Sequence, residues 1–417
     1  MALPKMVRIE QHIEAPVVAD IPAAVRAELD EIEAGSLVKA GDRIAITGGS
    51  RGVANIDIVI KAIADYLKEL GARPFVVPAM GSHGGATAEG QRDVLAHYGI
   101  TEETVGAPIE ATMDTVEIGR TADGLPVLLD RNAAEADGIV PLNRIKAHTD
   151  FKGSIESGLL KMMAIGLGKQ KGANMYHRAF FHHGFEHVIL TVGSLMLDTG
   201  KVVFGVGLVE NAHEHTAKVA AMRPNELIRR ERELLVEAKS LMGRLPFDTL
   251  DLLVIDWMGK NISGTGMDTN IIGRMMQNFE PEPEKPAILR IFVRDLTEES
   301  NGNATGVGLA DFTTTRLVEK VDRYATYMNG ITGLGPQKSK IPFYYDSDKE
   351  AIEVALNTIG LTPPEEAKVA RVESTLTLAT LDISEAFIED AELRSDLEII
   401  GEAKSFEFDA SGNLAPF

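Results

Sequence analysis

From Arg43 onward the hydrophobic positions change period twice in quick succession. Residues 43–47 (RIAIT) form a compact apolar run of the kind a buried strand shows, ending in Gly48, Gly49, Ser50, Arg51 and Gly52. Over residues 56–70 the apolar side chains Ile56, Ile60, Ile63, Ala64 and Leu67 return at helical spacing, with Gly71 as the stop. Residues 73–78 (RPFVVP) predict a second strand, 81–85 (GSHGG) a second glycine-rich loop, and Thr87 the cap of a helix running through Tyr98. Two strand–loop–helix units joined by short turns predict a parallel sheet covered by helices. Ligands of such sheets gather outside the carboxyl ends of the strands, so Arg51 and His83 are expected at one edge. Residues 138–142 are a further buried-strand candidate, and the loop that follows would deliver His148 to the same edge.

A second region begins near residues 245–247. Residues 250–256 and 287–293 read as strands, separated by a polar glycine-rich stretch (259–273) and an acidic, proline-rich spacer (280–284). Helices are expected around 313–329 and 348–358, and closing strands at 397–400 and 405–408. The expected fold is therefore α/β with two domains. A larger N-terminal parallel-sheet domain spans 1–246, with 395–417 left open to return to it. A smaller C-terminal α/β domain spans 247–394, the active site lies in the cleft between them, and a hinge near Phe247 closes it.

Composition narrows the chemistry. A formal net charge of −20 argues against a nucleic-acid partner, because phosphate binding wants excess Lys and Arg. It also means that an anionic substrate must meet a local basic pocket. The absence of cysteine excludes disulfides, thiolate nucleophiles, Cys-ligated zinc and iron–sulfur clusters, leaving His and carboxylate as the main protein metal ligands. No apolar run approaches the ~20 residues of a membrane span and no secretory leader pattern opens the chain, so a soluble, cytoplasmic protein with no membrane partner is expected.

The candidate chemistry clusters between His83 and His187. Gly49, Ser50 and Arg51 could cradle an anion with backbone amides and a guanidinium, although a tight turn with a solvated arginine explains the same residues. His83, flanked by glycines, suits presentation to a ligand. The stretch 148–168 carries Lys152, Lys161, two serines and several glycines in an otherwise acidic chain, which suggests an anion site; the plainer reading is a solvated amphipathic helix ending at a glycine turn. A lysine amine can form a covalent link to a carbonyl or acyl cofactor. Beyond it, His177, His182, His183 and His187 crowd one segment, and the last two, four residues apart, could share a helix face as metal ligands. No HExxH carboxylate accompanies them, and His213 and His215 are explained as well by the surface.

Lys161 followed sixteen residues later by His177, after His148 on a glycine-rich stretch and His83 on another, resembles the nickel-dependent lactate racemase family of 2-hydroxy acid racemases and epimerases. The resemblance covers most of the chain. It implies a nickel–pincer nucleotide cofactor, a pyridinium-3,5-bisthiocarboxylic acid mononucleotide carrying nickel. Lys161 would be its tether through a thioamide, His177 the nickel ligand, and Arg51 with Ser50 and Gly49 the phosphate contact. His83 and His148 would be the acid/base pair. A cofactor that brings its own sulfur suits a protein without cysteine. The resemblance further implies a small-molecule 2-hydroxy acid substrate and cofactor-biosynthesis proteins needed for activation. There are departures: three residues are inserted between His148 and Lys161, and Gly48 replaces the family's acidic residue before the arginine. In the second domain, residues 266–274 look like the substrate-carboxylate segment without its usual lysine and glutamine. Arg274 is the candidate replacement and Lys260 the second, with Asp268 and Asn270 beside them, which favours a larger or more polar acid than lactate. Two other readings stand beside this one: a pyridoxal-phosphate enzyme using Lys161, and a non-catalytic carboxylate-binding protein of the same fold.

Overall fold

The computed structural model describes residues 2–49 and 52–417. The chain forms two compact units, one comprising residues 15–148 and 152–242, the other 1–14, 149–151 and 243–417.

In the first unit, the strand Arg43–Gly48 lies between Arg73–Pro78 and Gly138–Val140, all three parallel. The helix Ile56–Glu69 buries Ile56, Val59, Ile60, Ile63, Ala64 and Leu67, the expected stripe, in one core with Ile44, Ile46 and Val76. Thr87 caps the helix Ala88–His97 by accepting the Gly90 N–H at 3.0 Å. The apolar run at 138–142 does not continue as one strand. Pro141 lacks the amide a ladder needs, and the chain leaves the sheet there. Leu142–Arg144 pairs instead with Gly205–Glu210, which runs antiparallel to Thr216–Met222. An antiparallel hairpin, Thr115–Arg120 and Pro126–Asp130, completes the strands of this unit.

The second unit is built on one mixed sheet of eight strands. Phe343–Tyr345, Phe312–Thr314, Ala287–Leu296, Thr249–Met258 and Val369–Val372 are parallel neighbours in that order. Thr380–Ser384, Met6–Gln11 and Leu397–Lys404 follow as antiparallel neighbours. The structure departs from expectation at several points. Residues 1–14 and 395–417 belong with the C-terminal part of the chain, because Met6–Gln11 pairs with both late strands and buries Val7 and Ile9 there. Phe247, expected at a hinge, is core: its ring stacks on Phe387 at 3.9 Å, and the units part between Met242 and Gly243. The helical segments expected around 313–329 are present as Thr315–Glu319 and Arg323–Thr332, with Asp322 capping the second. Residues 405–408 contribute only an isolated bridge from Phe408 to Leu414. Among the described residues no helix is long and apolar enough to cross a membrane.

Candidate functional site

Four segments that follow strands of the first unit are fastened to one another. Gly49 follows Arg43–Gly48 directly, and a Cβ added there would lie 3.2 Å from the Met162 side chain, so this loop approaches the segment of Lys161 closely. A Cβ on Gly48 would lie 2.9 Å from the end of the Leu95 side chain, which would have to shift to admit one. Ser50 and Arg51, the expected phosphate contacts, lie outside the described residues.

After Arg73–Pro78 comes the loop bearing His83, which is exposed and precedes the short turn Gly84–Ala86. Gly84 has φ +63°, and a Cβ there would meet the Gly90 backbone at 2.5 Å, so glycine is required for the loop to fold over the next helix. Gln91, fully buried, donates to Gly81 O (3.0 Å) and His83 O (3.3 Å). The Gly81 N–H donates to Gly166 O at 3.3 Å, tying the His83 loop to the turn beyond Lys161.

Residues 146–157 close as a small hairpin, with Lys146 and Ser157 exchanging backbone hydrogen bonds of 3.0 and 3.2 Å. Inside it the carboxylate of Glu156, 1% exposed, accepts the His148 N–H at 2.6 Å and the Lys239 ammonium at 2.6 Å. Lys152 donates to His148 O at 3.1 Å. His148, half-buried, is thus held by its backbone. Lys161 ends the short helix Leu159–Lys161, and the chain continues through a wide π turn, Met162–Gly166, before the helix Lys169–His183. Such turns splay side chains out of helical register and recur at functional sites. The inserted residues do not separate the two groups, since Lys161 Nζ lies 2.5 Å from His148 Nε2. One nitrogen must offer a lone pair in that contact, so an amine and an imidazole are poised to pass a proton between them. His177, half-buried on the long helix, packs edge-on against Phe180 (5.4 Å); Phe180 stacks on Phe185 (3.9 Å), and Phe185 faces His148 at 6.4 Å.

Buried charges brace this arrangement. Lys169 has φ +54° and no exposed surface, and it donates to Pro78 O and to Gln91 Oε1 (3.0 Å). Its ammonium also lies 2.9 Å from Asp130 Oδ2, an ion pair rather than an aligned hydrogen bond. Burial pushes Lys169 down and Asp130 up from their ordinary values. Tyr176, also fully buried, donates to Pro126 O and accepts the Leu128 N–H, each at 3.0 Å, and burial raises its hydroxyl to about 12. Gly168 and Gly172 make room for that ring, which accounts for two glycines of the GLGKQKG stretch by packing. Glu231, 1% exposed, accepts the Leu160 N–H at 3.1 Å at the start of the turn that carries Lys161. Its other oxygen has no hydrogen-bond partner among the described residues, and burial raises the group to about 8 against the pull of the Leu160 and Leu159 amides. These anchors were not foreseen. KQKG and RRERELL both look like solvated polar sequence, and only the packing reveals that Lys169 and Glu231 are inside.

The residues expected to hold substrate lie in the second unit and have local employment. Arg274 donates to Leu309 O (2.8 Å), Asp311 Oδ2 (2.9 Å) and Ile288 O (3.3 Å), so its guanidinium fork is committed to that unit's own loops rather than presented to a carboxylate. Lys260 donates to Gly264 O and Asn329 Oδ1, each at 2.5 Å. Asp268 caps the turn Thr269–Ile272 and accepts from the Asn270 side chain at 2.7 Å.

Residues 5–187 match the family described as lactate racemase N-terminal domain. Over that stretch, a little under half of its length, the chain is similar to the lactate racemase family. The match takes in His83, His148, Lys161 and His177 alike. Among solved structures the chain is similar to the lactate racemase apoprotein from Thermoanaerobacterium thermosaccharolyticum, with a TM-score of 0.55 at 12% identity, covering 89% of this chain and 99% of that one. At that identity the likeness speaks for the lactate racemase fold alone. No curated protein matches the chain.

The residues present fit the cofactor that the family implies. Lys161 offers an amine beside a proton acceptor, and His177 an imidazole nitrogen. No cysteine competes for nickel.

Proposed function

We propose that this chain interconverts the configurations of a 2-hydroxy acid, as a racemase or epimerase, with a nickel–pincer nucleotide held on Lys161. The observation that carries the reading is the 2.5 Å approach of Lys161 Nζ to His148 Nε2 inside the lactate racemase N-terminal domain. When bound, the cofactor supplies the hydride acceptor that inverting a carbinol carbon requires. Lys161 would hold it through its side-chain nitrogen, His177 would ligate the nickel, and Gly49 with Ser50 and Arg51 would receive the phosphate.

The protein's own part is proton management. His148 Nε2 can take the proton from the Lys161 ammonium, leaving the neutral amine that acylation needs. Once acylated, that nitrogen is no longer basic and ceases to compete for His148. The imidazole would then serve as the base for the substrate's hydroxyl proton, and the bound cofactor would supply the hydride acceptor for its α-hydrogen. Inversion requires the same service on the opposite face, and His83, on a separate loop, is the second group. Gln91, Lys169 and Glu156 fix the backbones of these loops, which positions the histidines.

Loading would require the cofactor-biosynthesis proteins of the host, and a cytoplasmic setting fits such a supply. The substrate class is 2-hydroxy acids, lactate or larger. Intact-mass and metal analysis of the chain from a cofactor-producing host should show an adduct on Lys161 with one nickel, both absent in Lys161→Ala. Unmodified, nickel-free wild-type protein from that host would refute the reading. Neither the family match nor the fold match favours the pyridoxal-phosphate or non-catalytic alternative.

A further inference from the structure

His183 and His187 drew attention as a pair at ligand spacing that lacked a carboxylate. The fold supplies one. Asp123 sits in the turn of the hairpin formed by Thr115–Arg120 and Pro126–Asp130, a turn closed by Thr121 N–H to Leu125 O and Gly124 N–H to Thr121 O, both 2.9 Å. His183 is the last residue of the helix Lys169–His183, and His187 lies in the first turn of Phe185–Asp198; Gly184, at φ +78°, breaks the two helices apart. The break sets both imidazoles over the hairpin turn. Their rings stack at 5.8 Å with 26° between planes, and His187 Nε2 lies 2.7 Å from Asp123 Oδ2. One ligand atom from each of Asp123, His183 and His187 lies within 4.8 Å of the other two, and all three residues are exposed.

We propose that Asp123, His183 and His187 form a second, surface site for a first-row divalent cation of the zinc class, separate from the nickel site proposed at His177. Two imidazoles and a carboxylate are a standard donor set for such an ion, with the fourth position left to water. Bonds of ~2.0–2.1 Å place tetrahedral ligand atoms roughly 3.3 Å apart. His187 and Asp123 therefore open slightly and His183 swings inward, motions that exposed side chains make freely. The ion joins the tip of the hairpin to the corner between the two helices. The hairpin's second strand ends at Asp130, which pairs with Lys169, and the first helix carries His177. A cation here thus braces the element that presents His177 from its far end.

The test uses the full-length chain, expressed without the pincer cofactor and stripped of metal, titrated with zinc against a competing chelator. One tight site is expected. Asp123→Asn, His183→Gln and His187→Gln should each weaken it by more than about 100-fold, because losing even an outer-shell partner of a metal site costs 10–100-fold. His177→Gln and His182→Gln should leave it unchanged. All of these side chains are at the surface or half-exposed, so the variants fold. Wild-type binding no tighter than that of His183→Gln overturns the proposal, as does a site lost in His177→Gln. Because the protein carries no cofactor here, the result stands apart from the racemase reading.

Discussion

Glu231 offers the sharpest quantitative test of how the turn carrying Lys161 is held. It is buried at the amide end of Leu159–Lys161, where it accepts from Leu160 and leaves one oxygen unpartnered. Burial raises it from 4.5 to about 8 in the folded protein. Between those two values the native state holds a proton that the unfolded chain has released. The stability it contributes is therefore fully present below its ordinary value and is lost as pH rises to about 8. The slope approaches about 1.4 kcal/mol per pH unit, so the loss sums to about 5 kcal/mol across the window. Glu231→Gln keeps the shape and one acceptor oxygen for Leu160 and cannot ionise. Urea unfolding of both proteins, followed by far-UV circular dichroism from ~pH 5 to ~pH 9, isolates the effect, because every other group is common to both and cancels in the difference. Tryptophan fluorescence is the wrong probe: Trp257, the single tryptophan, belongs to the other unit. The variant should gain on wild type steadily toward alkaline pH. Two curves that stay parallel would show that Glu231 is charged in the native state and the burial argument is wrong.

Three further outcomes follow from the same packing. Lys169→Met should cost about 3–5 kcal/mol in the same urea assay, since it strands Asp130 in the interior, and adding Asp130→Asn should restore much of the loss. Gly166→Ala would place a Cβ 2.6 Å from Ala79 O and 2.7 Å from Met162 Sδ; a cost of roughly 1–3 kcal/mol is expected, with faster hydrogen exchange over residues 79–86 as the His83 loop loosens. His177→Ala should change stability by no more than ~0.5 kcal/mol. In protein from a cofactor-producing host it should lose nickel while the mass adduct on Lys161 remains.

What the linear pattern showed and what it hid divide along a physical line. The helix Ile56–Glu69, the Thr87 cap and the loops at Gly49 and His83 were legible because apolar period, capping and glycine placement are local properties. The approach of His148 to Lys161 was legible only as a family spacing; the 2.5 Å contact itself is visible only in the fold. Interior charges were hidden because Lys169 and Glu231 sit in stretches whose local composition is polar, and only distant partners bury them. The break at Pro141 was hidden because both halves of 138–144 are strands, but in different sheets. Asp123 could not be assigned to His183 and His187 from sequence, since a hairpin far upstream delivers it.

The pairing of Met6–Gln11 with Thr380–Ser384 and Leu397–Lys404 has a consequence for biogenesis. That first strand leaves the ribosome long before either neighbour exists, and at ~5–20 residues per second the wait is tens of seconds. Residues 15–148 and 152–242 can complete their own core meanwhile, whereas the eight-stranded sheet cannot close until Leu397–Lys404 has been made. A nascent chain of this protein thus carries an unsatisfied β edge at its amino end, the segment a chaperone would be expected to shield.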